Sequence, residues 1–186
     1  TLDRCVQGKS LHEATGAEGC CAPELLIETF DGELNLTILA DQMGIGWQKT
    51  GLASKSPPSS LWFGSAVTEN YDNGADKSSG TATFMPLQLP PGVTTILTWS
   101  MLMDVEPAIN FDRVEVRLVS TAGELVIWDK TKTPWYGDWF DVSVDISGFG
   151  GQAVTLELSF DSIDGVQNTT RGVFFDDFEI SSTCLA

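Results

Sequence analysis

The sequence predicts an all-β domain, a sandwich or barrel of short strands. Three observations predict it. Apolar residues recur with a period of two in several separate segments, Gly and Pro clusters divide those segments, and no stretch carries the 3.6-residue period of an amphipathic helix.

Residues 1–22 stand apart from the rest. They hold three of the four cysteines and His12, the one histidine, without any apolar period. They read as a disulfide-held leader or the end of a preceding Cys-rich module, leaving 23–186 for the sandwich. From Leu25 on, strand signals dominate. Residues 41–79, rich in Gly, Ser, Pro and Asn, read as extended surface loops pinned by Trp47, Trp62 and Tyr71. Residues 96–103 form an apolar run with interleaved hydroxyls. Next, Val114, Val116 and Leu118 alternate with Arg113, Glu115 and Arg117. Residues 125–128 form a short strand. Phe140, Val142, Val144 and Ile146 then alternate with Asp141, Ser143 and Asp145, and Val154, Leu156, Leu158 and Phe160 with Thr155, Glu157 and Ser159. Residues 173–175 complete the set.

At 186 residues the chain has room for one well-buried core. Ten Lys and Arg against 26 Asp and Glu leave a formal charge of −16, a field that repels phosphate backbones and acidic membranes. Nucleic acid is therefore no partner. No apolar run approaches the ~20 residues of a spanning helix, so no membrane insertion is expected. Without a charged-then-apolar leader, any secretory signal lies upstream of Thr1, and the chain reads as a piece of a longer protein.

Cys5, Cys20, Cys21 and Cys184 lie only at the two ends. Their spacing lacks paired C-x-x-C knuckles, which argues for disulfides over zinc. Three connectivities are open; the one joining Cys20 to Cys21 is strained, and the other two tie Cys184 to one of that pair. A loop so long contributes at most about 5 kcal/mol. Disulfides imply an oxidising compartment, hence a secreted or cell-surface location. Asn35-Leu36-Thr37 and Asn168-Thr169-Thr170 are sequons, which accept glycans only in a eukaryotic secretory pathway.

The most informative feature is a conflict between strand parity and charge. A period of two places Glu28 with Leu26 and Phe30, Asp176 with Phe174, Phe178 and Ile180, and Asp112 with Val114, Val116 and Leu118. An unpaired carboxylate facing an apolar core costs several kcal/mol or is protonated. Arg113 and Arg117 fall on the opposite parity and cannot compensate. Calcium suits better, because it takes six to eight oxygens and offsets several carboxylates at once; Glu28, Asp31, Asp176 and Asp177 would supply the side chains. The alternative is that Asp176 and Asp177 lie hydrated at a strand end, carried there by a bulge.

Glu28-Thr29-Phe30-Asp31, Gly46-Trp47, Ser60-Leu61-Trp62-Phe63-Gly64, Ser79-Gly80-Thr81-Ala82-Thr83, Phe111-Asp112-Arg113-Val114-Glu115-Val116, Trp139 with Val144-Asp145-Ile146-Ser147, and Phe175-Asp176-Asp177-Phe178 carry a resemblance. In that order they resemble the MAM-like superfamily: MAM domains, cleaved-adhesin domains of bacterial surface proteases, and bacterial choice-of-anchor jelly rolls. The resemblance spans nearly all of residues 23–183. It implies a jelly-roll β-sandwich of two antiparallel sheets, a metal between the first and last strands, and a role as an adhesion, carbohydrate-binding or accessory module of exported multidomain proteins. Glu28 and the Asp176-Asp177 pair match the metal-binding positions. Asp104 and Asp112 match acids found beside a second polar or metal site. The leader lies outside the family core and resembles the end of a small Cys-rich repeat of exported bacterial proteins. The MAM cysteine pattern is absent, which favours the bacterial branches.

No catalytic residue is assigned. His12 lies in the leader, away from any serine on the sandwich. Glu28 falls on one strand face and Asp31 and Glu33 on the other, so they do not line one glycosidase cleft. The expectation is a calcium-binding adhesion or carbohydrate-binding module, taking a glycan or a cell-surface protein and flanked by neighbouring domains. Its contact surface is the turn that carries Trp135 and Tyr136, whose rings can stack on sugar faces. Trp139 matches a position that the family buries. Two alternatives stay open, a ligand-free accessory domain of a larger secreted enzyme and a β-sandwich glycoside hydrolase.

Overall fold

The computed structural model describes residues 4–6, 9–11, 18–20, 24–40, 44–132 and 137–182, with backbone alone for 4–20 and 40. Strands β1 (Arg4–Val6), β2 (Lys9–Leu11) and β3 (Glu18–Cys20) form a small antiparallel sheet of their own. The side chains of Cys5 and Cys20, and residues Cys21, Cys184, His12, Trp135 and Tyr136, lie outside the described set.

The remaining strands build a jelly-roll sandwich of two antiparallel sheets. They are β4 (Glu24–Glu28), β5 (Leu36–Ala40), β6 (Gly46–Thr50), β7 (Ser60–Gly64), β8 (Ser79–Phe84), β9 (Leu87–Gln88), β10 (Thr95–Asp104), β11 (Arg113–Ser120), β12 (Gly123–Asp129), β13 (Trp139–Asp145), β14 (Ala153–Asp161) and β15 (Gly172–Ser182). The first sheet runs β13-β10-β15-β7-β6, the second β12-β11-β14-β8-β5 with β9 beside β14. Successive strands cross repeatedly between the sheets, which makes most contacts long in sequence.

Strand β4 also pairs with β15, on residues 178–181, whereas β7 pairs with 173–175. The two share one edge of β15 end to end. Glu24 lies opposite Ser181, so the sandwich is entered and left at the same end.

The alternating segments behave as expected. Val114, Val116, Leu118, Leu156, Leu158 and Phe160 are all buried in the core between the sheets. Trp99 stacks on Phe178 at 5.8 Å, and Phe30 and Phe84 meet the same ring edge-on or tilted.

Residues 41–79 correct the expectation of plain loops. They contain β6 and the inner strand β7, and Trp47, Trp62 and Tyr71 are buried. All five residues of β7 are buried, so no alternation marks it. Gly64 is required there: a Cβ would fall 2.1 Å from Cζ2 of Trp62.

Candidate functional site

The first cluster forms where β15 bulges. Opposite the single residue Trp99 of β10 stand two residues, Asp177 and Phe178, and Asp177 takes φ of 50°. The extra residue flips the parity of the strand. Val173 and Phe175 join the core before it, Phe178 and Ile180 after it. Asp176 therefore does not share a face with Phe178 and Ile180. It shares the outer face with Phe174, which correction explains how a carboxylate is fully buried without entering the core.

Residues 51–59, with a cis Pro57–Pro58 bond, cover Asp176. The backbone N–H groups of Lys55 and Ser56 donate to its Oδ2 at 2.8 and 3.1 Å, and the Asp177 N–H donates to Oδ1 at 2.9 Å. Burial pushes the carboxyl up to about 6, against the pull of these amides. Beside it Ser100 donates to Asp141 at 2.6 Å, and Lys55 Nζ reaches the same carboxylate oxygen at 3.1 Å. Those two partners, Ser100 first, hold the Asp141 carboxyl below its usual range.

The other acids proposed with Asp176 are satisfied separately. Glu28 Oε1 accepts the Phe30 N–H at 2.7 Å, and Asp31 Oδ1 accepts the Ser59 N–H at 3.2 Å. Ser56 Oγ donates to Asp177. Lys49 Nζ donates to the carbonyls of Asp31 and Gly32 at 3.1 and 2.7 Å. Calcium was expected here. Among the described residues, however, no three His, Cys, Asp or Glu side chains gather to hold a metal ion. Glu28 Oε1, Asp31, Asp176 and Asp177 Oδ1 accept from N–H and O–H donors, and the Lys49 ammonium sits on the turn carbonyls.

Asp104 pairs with Arg171, whose Nε donates to Oδ2 at 2.8 Å. Asp112 belongs to a second cluster. It is fully buried on the core side as its parity predicts, with φ of 46°. Its Oδ2 accepts the Tyr71 hydroxyl and the Glu106 N–H, both at 2.5 Å. Its Oδ1 has no partner. The positive charge of Lys130, 3% exposed on a 3-10 turn (Lys130–Lys132) after β12, acts on Asp112 through space. Its ammonium donates to the carbonyls of Glu106, Ala108 and Phe111. Burial pushes Asp112 up to about 6 despite these partners; burial also raises Tyr71 and lowers Lys130. Lys130 was not legible as a charge near Asp112 from the sequence, where Arg113 and Arg117 stand closer to Asp112 in the chain. Only its inward direction had a signal, for it shares the parity of Trp128, which is buried.

Two hollows lie on the outer faces. One, of about 340 Å³ on the second sheet, is lined by Leu39, Ser79, Gly80, Thr81, Ser159, Phe160 and Asp161. Leu39, Thr81 and Ser159 stand side by side on the outer face there, Leu39 65% exposed. The other, of about 280 Å³, lies over Trp62 among Gln48, Lys49, Thr50, Gly51, Leu52, Ala66 and Glu69. Its floor is sealed: Trp62 stacks on Phe174 at 5.8 Å, and its Nε1 donates to the Arg171 carbonyl. Every aromatic ring among the described residues is buried or half-buried, including Trp139. Of the sequons, Asn35 is exposed and Asn168 is buried, its amide donating to Ser162 Oγ and the Asp164 carbonyl.

No protein-family model matches the chain, and no curated protein matches it. Solved structures do. The K3 cleaved adhesin domain of Lys-gingipain from Porphyromonas gingivalis superimposes with a TM-score of 0.60 at 16% identity, covering 85% of this chain and 98% of that one. The CBM22-1 xylan-binding domain of Paenibacillus barcinonensis Xyn10C gives 0.53 at 11% identity, over 89% and 97% of the two chains. TmCBM61, solved in complex with beta-1,4-galactotriose, gives 0.51 at 12% identity over 78% and 86%. At these identities the likeness is one of fold, and the chain is built as a jelly-roll sandwich of the kind found in adhesin domains and carbohydrate-binding modules.

Proposed function

We propose that this domain is a non-catalytic binding module of an exported multidomain protein, and that its ligand is a glycan. The observation that carries the reading is the hollow on the second sheet. Ser79, Thr81 and Ser159 carry hydroxyls there, Asp161 a carboxylate held by Lys77 and the Ile163 N–H, and Leu39 an exposed apolar surface, a mixture that suits a polyhydroxylated ring with apolar C–H faces. Two of the structures that share the fold are named for xylan binding or for a bound galactotriose, which supports the same reading. Trp135 and Tyr136 would supply stacking rings. A cell-surface protein is the other partner class that this surface admits.

A ligand-free accessory domain draws on one observation, that no aromatic ring among the described residues is exposed. A glycan array followed by titration calorimetry separates the two. The binding reading expects a glycan whose affinity drops at least about tenfold, ~1.4 kcal/mol, on Thr81→Lys or on Trp135→Ala with Tyr136→Ala. A blank array leaves the accessory reading standing.

A further inference from the structure

We infer that the free edge of β13 takes an extended peptide of alternating apolar and basic residues, added antiparallel to the first sheet as one more strand. The edge is regular. Residues Trp139 to Asp145 pair with Leu102 to Ile96 of β10 without a register shift. β13 ends its sheet, and among the described residues no strand lies on its far side. The Ile146 N–H donates to the Thr95 carbonyl at 2.9 Å, and antiparallel alternation then turns the backbone of Val144, Val142 and Phe140 toward β10 and that of Asp145, Ser143 and Asp141 outward. The strand holds no Pro, Lys or bulge, the devices that guard an edge. β12, the edge on the same side of the second sheet, is broken by a bulge at Ile127, and β5 and β6 lie against each other on the opposite side.

The side chains of the edge set the chemistry of the partner. Phe140, Val142 and Val144 point toward the core yet are only half-buried, and on the corresponding edge of the second sheet Leu125 is 53% exposed opposite the core residue Leu118. An added strand lays one face of apolar side chains along that open side of the sandwich. Its other face stands beside Asp141, Ser143 and Asp145, all exposed. That row already takes an ammonium group: Lys55 Nζ lies 3.1 Å from Asp141 Oδ1. Asp145 is held by its own turn alone, through the N–H and hydroxyl of Ser147. A second copy of the chain does not suit this edge, because pairing β13 with itself sets two acidic rows side by side in a molecule of formal charge −16. A strand with basic residues on one face and apolar residues on the other meets both requirements. The inference is independent of what the hollow on the second sheet binds.

The test is fluorescence anisotropy of a labelled peptide of alternating lysine and valine, as long as β13, titrated with the whole chain. It should bind saturably, and more weakly as salt rises. A glutamate–valine peptide should bind at least about tenfold more weakly, and so should the lysine–valine peptide methylated at the backbone nitrogens of its lysines, which are the N–H groups that face β13. Ser143→Pro removes an outward N–H while leaving the ladder to β10 intact, and should also weaken binding at least about tenfold; Asp145→Lys should weaken it about fivefold. Should Ser143→Pro fail to fold, the methylated peptide reads the same hydrogen bonds from the other side. The inference is overturned by the absence of saturable binding of the lysine–valine peptide, by equal binding of its methylated form, or by a folded Ser143→Pro that binds as the wild type does. A dimer in sedimentation velocity that Ser143→Pro dissolves would overturn it too, by giving the edge to a second copy.

Discussion

Asp176→Ala probes the clamp that holds residues 51–59 over the first sheet. Three backbone N–H groups donate to this one carboxylate, those of Lys55, Ser56 and Asp177. A hydrogen bond to a charged acceptor contributes about 1.5–3 kcal/mol net, so the three give roughly 4–9 kcal/mol. Burial acts in the opposite direction. The carboxyl is raised to about 6 because the charged form has been taken out of water, and that penalty vanishes with the side chain. The expected net loss is about 3 kcal/mol, or roughly 6–12 °C in melting temperature for a chain of this size. The loss is also local. With its amides released, the segment should lift from the sheet and expose the Lys55–Ser56 bond to trypsin while the core remains folded. Urea unfolding gives the magnitude, and mass spectrometry of timed trypsin digests gives the location. An Asp176→Ala variant within 1 kcal/mol of wild type, with Lys55–Ser56 as resistant as before, would refute the clamp.

Acidification from pH 7 to pH 5 should stabilise the domain through Asp112. Its carboxyl is raised from 3.8 to about 6, so the native state binds more protons between those values and stability falls as pH rises through them. Asp176, also raised to about 6, adds a like increment, so each of the two carboxyls contributes about 1.3 kcal/mol, read from urea midpoints, and Asp112→Asn should lack its own share. Tyr71→Phe removes a donor to the same buried carboxylate and should cost about 1–2 kcal/mol in the same assay. Gly64→Ala drives a methyl into the indole of Trp62, beneath which Phe174 is stacked. It should cost at least about 4 kcal/mol, and a native-like melt for this variant would contradict the packing described.

Parity made most of the sandwich legible. Val114 to Leu118 and Val154 to Phe160 alternate cleanly because each lies in an unbroken strand with one face in the core. Parity failed at Asp177, where one inserted residue moves Phe174 and Asp176 to the other side of the sheet while Phe178 and Ile180 stay inside. A bulge has no signature in a period-two pattern until a residue falls out of register with its neighbours. Strand β7 was hidden for a different reason: Trp62 and Phe63 are buried on opposite faces, so nothing alternates. Asp112 lies inward, where its parity with Val114, Val116 and Leu118 places it. The Lys130 charge that acts on it lies 18 positions away beyond β12, a proximity that only the folded topology creates. The hydroxyl-lined hollow could not be read at all, since Leu39, Thr81 and Ser159 meet only through the pairing of β5, β8 and β14.

The position of β4 on the edge of β15 has a mechanical consequence. Glu24 and Ser181 face each other in antiparallel register at the end where the chain enters and leaves the sandwich. Traction along the polypeptide on both sides therefore loads the β4–β15 ladder one rung at a time, from Glu24 toward Glu28, instead of shearing all rungs together. The first strand would peel at low force and stop where the chain turns at Phe30, whose ring is packed against Phe178 and Phe84. Strung between neighbours, as proposed above, the domain would behave as an extensible link with an internal stop.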